Sequence, residues 1–125
     1  MSVDLYQFPE ATTKRRQKEI YAVLDSFAET TYIVLERAPH SKTPRGTLIL
    51  RHTNKHAIAI KLRWKDNSHY VGYLINQDKE SDGDESHAIV SLYTAYDASQ
   101  FVIAFGLFAE LRSRNIDKVR ELRRT

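Results

Sequence analysis

Three runs in the middle of the chain constrain its fold more than any other feature: Thr47–His52 (TLILRH), 57–64 (AIAIKLRW) and His69–Ile75 (HYVGYLI). Each is rich in β-branched or aromatic residues, which fit the surface of a pleated sheet. They are separated only by Thr53-Asn54-Lys55 and Lys65-Asp66-Asn67-Ser68. Connections that short join antiparallel neighbours, because a parallel pair needs a long crossover. In the middle run Ile58, Ile60 and Leu62 fall on one side of a strand and Lys61 and Arg63 on the other, so one sheet face is core and the opposite face is wet or covered.

The flanks supply partners for the apolar face. Residues 14–27 place Ile20, Val23, Leu24 and Phe27 at the spacing of one helical face, with Thr12 and Thr13 as expected N-caps. Ahead of them, 3–8 (VDLYQF) reads as a short strand ended by Pro9, and 32–35 is another β-branched apolar run. Residues 37–46, with Pro39, Pro44 and Gly46, read as an exposed loop. Residues 77–86 (QDKESDGDES) read as a solvated acidic loop. The following stretch, 87–96, fits strand or helix equally, since a short apolar run has no decisive period. Residues 101–108 are apolar, and Leu111, Ile116, Val119 and Leu122 continue with helical spacing, so 111–125 is expected to be a basic helical tail. The expectation is a single α+β domain over 1–125: an N-terminal strand and helix, a central antiparallel β-meander and a C-terminal helix.

Composition narrows the chemistry. With no cysteine, the 125-residue chain has no disulfide framework, zinc ribbon or thiol nucleophile. No apolar run approaches the ~20 residues of a membrane-spanning helix, and residues 1–20 lack a signal-peptide core, so a cytoplasmic protein without a membrane partner is expected. Four glycines form no phosphate-binding or nucleophile-elbow motif, and the five histidines, His40, His52, His56, His69 and His87, have no metal-site spacing. The acidic loop lacks the ligand order of a calcium-binding helix-loop-helix. No cofactor and no metal are therefore expected. Charge is unevenly spread: residues 1–76 carry 12 Lys and Arg against 7 Asp and Glu, 77–98 carry 1 against 6, and 99–125 carry 6 against 3. A basic body suits an anionic partner such as RNA, and it equally suits simple solubility.

The strand His69-Tyr70-Val71-Gly72-Tyr73-Leu74-Ile75-Asn76, entered through Asp66-Asn67 and preceded by Ile58 to Arg63, resembles a stretch of the plant ribosome-inactivating proteins. So do Val3-Asp4-Leu5, Ala11-Thr12 with the helix ending near Leu24, and the segment from Phe101 to Ala104-Phe105-Gly106, all in the family's order. The resemblance implies a domain targeting ribosomal RNA, in a family that removes one adenine held between two tyrosines. Aligned on Gly72 and Tyr73, His69 stands at the first stacking ring with Tyr70 one residue off, while Val71 and Gly72 supply backbone. Aligned on Gly106, Phe108 stands at the second ring. The family's catalytic glutamate and arginine, spaced i and i+3 on a later helix, have no counterpart at the required distance; Glu121 and Arg124 have that spacing but come too soon. No catalytic residue is assigned, and N-glycosidase activity would need a second chain to complete the site. Each ring also has a plainer reading: Tyr70 and Tyr73 as packing residues, His69 as an exposed strand start, Gly72 as a bulge or close approach, and Trp64 as a sheet-face residue.

A resemblance of another class is carried by 88–93, Asp97, Gln100-Phe101, Phe105 and the basic tail 112–124, which is similar to the small Alu-RNA-binding subunits of signal recognition particle. It implies a non-catalytic module that holds structured RNA by phosphate contacts from Arg51, Lys61, Arg63 and Lys65 on a sheet face, with Arg112, Arg120, Arg123 and Arg124 on the tail. Residues 87–96 separate the two readings: a strand there favours the binding module, a helix favours the toxin-like domain.

Overall fold

The computed structural model describes residues 10–53, 59–75 and 88–123. Helix α1 (Glu10–Ala28) is followed by one 3₁₀ turn (Glu29–Thr31), then strands β1 (Ile33–Arg37), β2 (Thr47–His52), β3 (Ala59–Lys65), β4 (His69–Ile75) and β5 (Ala88–Leu92), and finally helix α2 (Ala95–Arg123). The sheet is a five-stranded meander in the order β1-β2-β3-β4-β5, every neighbouring pair antiparallel. The α+β class and the meander expected from the short turns are therefore present. The expected strand over 3–8, residue Ile58 and the acidic loop 77–86 lie outside the described residues.

The β3–β4 turn explains why the meander reverses so sharply. Asp66 and Asn67 have φ of 53° and 51°, and the Ser68 N–H donates to the Lys65 carbonyl at 3.0 Å. Short polar side chains tolerate that left-handed pair better than most residues, and its twist matches that of the strands it joins. Tyr32 is also left-handed, at φ 59°, where the chain turns out of the 3₁₀ helix into β1. The loop before β2 is tied to itself as well as exposed: the Ser41 hydroxyl donates to the Thr43 carbonyl at 2.6 Å and accepts from the Thr47 N–H at 2.9 Å. Pro39, His40, Lys42 and Pro44 are exposed while Ala38 and Ser41 are buried, and Arg37 belongs to β1.

Both helices pack on one face of the sheet. Ile20 and Leu24 of α1 and Ala98, Val102 and Phe105 of α2 enclose Leu48, Leu50, Ile60, Leu62, Tyr70 and Leu92 in one core. Phe27 packs against that core half-buried. Helix α1 opens earlier than the sequence suggests: it is already helical at Glu10, so Thr12 and Thr13 are interior positions and not caps, and Thr13 is buried one turn-pair before Ile20. Over its described residues, 88–96, the ambiguous stretch is strand through Leu92, then a capped helix start. The Asp97 carboxylate accepts from the N–H groups of Tyr93 (3.0 Å) and Thr94 (3.2 Å), and the Thr94 hydroxyl accepts from the Asp97 N–H at 3.1 Å. This reciprocal arrangement satisfies donors that a helix start leaves unpaired. From there α2 runs unbroken through the apolar stretch 101–108 and on to Arg123, and among the described side chains its last buried one is Ala109.

Candidate nucleic-acid interface

Strand alternation and register determine which side chains share the face away from the helices. Leu48, Leu50, Ile60, Leu62 and Tyr70 point to the core, so their alternates face the other way. The pairs Arg51↔Ala59, Ile49↔Lys61, Thr47↔Arg63, Lys61↔Tyr73, Arg63↔Val71 and Lys65↔His69 then put Arg51, Lys61, Arg63 and Lys65, all half-buried, with Tyr73 and His69 on the face that neither helix covers, the open face. Lys61, Arg63 and Lys65 recur at every second residue of β3, about 6.6 Å apart along the strand. Glu36 is the only acid among the described strand residues of this face, and it pairs with Arg51 at 2.8 Å. Ala38, Ile49 and Ala59, with Ile75 against them, form a small second apolar cluster beside the cations.

One ring of this face lies beside a cation, and two others stack on each other. The Lys65 ammonium lies 6.0 Å from the centroid of the Tyr73 ring, within reach of its quadrupole. His69 stacks on Tyr93 with centroids 4.3 Å apart and planes 15° from parallel. Its Nδ1 is hydrogen-bonded to the Ser68 hydroxyl. Burial pushes the His69 pKa below its ordinary value; Asp66 opposes that shift and Arg16 reinforces it. The ring is therefore neutral at physiological pH, a flat polar surface and not a cation.

The four rings singled out by the ribosome-inactivating resemblance are not gathered around one pocket among the described residues. Tyr70 is fully buried in the core, where its hydroxyl donates to the Arg45 carbonyl at 2.6 Å and burial raises its pKa. Tyr73, three residues on, faces the opposite side of the sheet and is 6% exposed. Phe108 stands on α2, lining a shallow apolar groove with Leu111, Ile116 and Val119. His69 is stacked on Tyr93 instead. Val71 is on the open face beside Arg63, whereas Gly72 is buried under Val90, whose Cγ1 would come 2.5 Å from an added Cβ. At Gly106 an added Cβ would lie 2.6 Å from Thr31 Cβ, so this glycine lets α2 cross the 3₁₀ turn closely. Arg112, Arg120 and Arg123 are exposed on α2, away from the strand cations; Arg124 lies outside the described residues, so its spacing to the exposed Glu121 has no described geometry.

Two features escaped the sequence reading. Tyr93 joins the site only because β5 lies beside β4, a pairing no local pattern announces. Trp64, read as a sheet-face residue, sits half-buried on the helix side of β3, edge-on to Tyr70 with centroids 4.9 Å apart, and lines a cleft with Lys14, Lys18 and Arg45. The Lys14 and Lys18 spacing on α1 was the available signal. No family model, curated protein or solved structure compared with this chain matches it. Among the described residues no helix is long and apolar enough to cross a membrane.

Proposed function

We propose that this protein is a non-catalytic RNA-binding module that holds an RNA backbone across the open face of its sheet. The observation that carries the reading is the row Lys61, Arg63 and Lys65 on β3, flanked by Arg51 on β2 and by Tyr73, His69 and Tyr93 toward β4 and β5. Cations at alternate strand positions can follow successive phosphates, and the exposed ring of Tyr93 offers stacking to an unpaired base without demanding one sequence. Residues 88–92 forming a strand supports this reading over the toxin-like one, since β5 extends the sheet that would bear the RNA. Among the described residues, the scattered placement of Tyr70, Tyr73 and Phe108 gives adenine excision no assembled pocket to build on.

The test is a charge reversal on the face that leaves the core alone. Lys61→Glu combined with Arg63→Glu should abolish binding of a fluorescently labelled structured RNA at moderate salt while the circular dichroism spectrum stays unchanged. Undiminished binding by a folded variant would overturn the proposal. Incubation of the intact chain with ribosomes, scored for free adenine, should give no release above a buffer blank.

A further inference from the structure

The cleft on the other side of the sheet is lined by cations from separate parts of the chain. Helix α1 contributes Lys14 and Lys18, the loop before β2 contributes Arg45, and Trp64 at the end of β3 lies among them. The cleft has a volume of about 440 Å³, within the range of small-ligand sites. Its described lining contains three cations and no carboxylate. The cleft is also fixed in shape. The Arg45 carbonyl accepts from both Gln17 Nε2 (3.2 Å) and the Tyr70 hydroxyl (2.6 Å), tying the loop to α1 and to the core. The Trp64 N–H donates to the Gly46 carbonyl at 2.9 Å, tying the same loop to β3.

Arg45 is the informative residue. Its guanidinium lies over the Tyr21 ring, 5.2 Å from the centroid, while its Nε is buried without a hydrogen-bond partner among the described residues. Three cations around one cleft, with no carboxylate among its described lining residues, favour an anionic oxygen there. Trp64 adds a large aromatic surface at the same place, and indole is the side chain best suited to stack on a planar base. A phosphate alone would leave that surface unused.

We infer that this cleft binds a nucleotide, its phosphate held by Lys14, Lys18 and Arg45 and its base against Trp64. The nucleotide is either free or the phosphorylated end of a strand. The inference stands on a different face from the proposed RNA surface and does not depend on it.

Trp64 is the only tryptophan in the chain, so its fluorescence reports on the cleft without interference. Titration of the full chain with AMP should quench that emission saturably. Lys14→Glu with Lys18→Glu should weaken the interaction about tenfold or more, as loss of charged hydrogen bonds requires. The quench should persist in the Lys61→Glu, Arg63→Glu variant, which separates this site from the sheet face. A 5′-phosphorylated oligoribonucleotide that binds more tightly than both AMP and its 5′-hydroxyl counterpart identifies a strand end as the source, whereas equal or tighter binding of AMP identifies a free nucleotide. No quench at millimolar AMP, or a quench untouched by the Lys14 and Lys18 reversals, overturns the inference. So does inorganic phosphate binding as tightly as AMP, because the base would then contribute nothing.

Discussion

Replacing Gly72 by alanine asks whether that glycine serves a ligand or the packing of the sheet. The new Cβ would lie 2.5 Å from Val90 Cγ1, 3.1 Å from Leu62 Cδ2 and 3.2 Å from Ile60 Cγ2. Leu62 and Ile60 are fully buried and have no room to retreat. Val90 is β-branched, and its restricted χ1 makes a rotamer change costly. Inserting a methyl against such neighbours costs about 1–3 kcal/mol. For a chain of this length that is a fall of roughly 4–12 °C in thermal midpoint. Val90→Ala removes the offending methyl, so the double variant should recover part of the loss, with a coupling energy of about 0.5–3 kcal/mol. Thermal melts of the four proteins in the cycle measure it. A Gly72→Ala midpoint equal to that of the parent, or strictly additive losses, would refute the close-packing account of this glycine.

Ile60→Ala, at the centre of β3 and fully buried, should cost about 2–5 kcal/mol in a denaturant titration. Asp97→Ala removes the acceptor for the Tyr93 and Thr94 N–H groups and should lower stability by about 0.5–2 kcal/mol, again read by denaturation. Stability should also depend on pH through His52 and His69. Burial lowers the pKa of both below 6.5, Glu110 opposing the shift at His52, so each ring binds its proton less readily folded than unfolded. Their contribution is complete above about pH 6.5 and is lost as the pH falls through the lower folded values. Thermal midpoints measured from pH 8 downward should therefore decline below pH 6.5, and less steeply in a His52→Gln, His69→Gln variant.

The central meander was legible because two signals coincided there: alternation within each run and connections too short for anything but a hairpin. Thr47–His52 and His69–Ile75 occupy their expected bounds, and Lys61 and Arg63 do lie opposite Ile60 and Leu62. Residues 87–96 were not legible, because a five-residue apolar strand followed at once by a helix shows neither period for long enough. The cue present was Thr94 with Asp97, a cap motif short of the usual glutamate. The open face was legible as charge on β3 but not as a set of rings, since the His69 and Tyr93 contact depends on strand order and not on sequence spacing. Likewise the cleft joins Lys14 to Trp64 across fifty residues, a proximity created only when α1 packs over the end of the sheet.

The salt dependence of RNA affinity tests the sheet-face proposal most directly, because it counts phosphate contacts instead of inferring them. Each phosphate neutralised by a cation contributes about 0.7 to the log–log slope for a single strand. The parent and a Lys61→Ala, Arg63→Ala, Lys65→Ala variant would be titrated with a single-stranded RNA between low and moderate salt. The expected result is a slope shallower by about 2 in the triple variant, as three lost contacts require. Parallel lines for the two proteins, however different their affinities, would contradict the assignment of those three side chains to the RNA backbone.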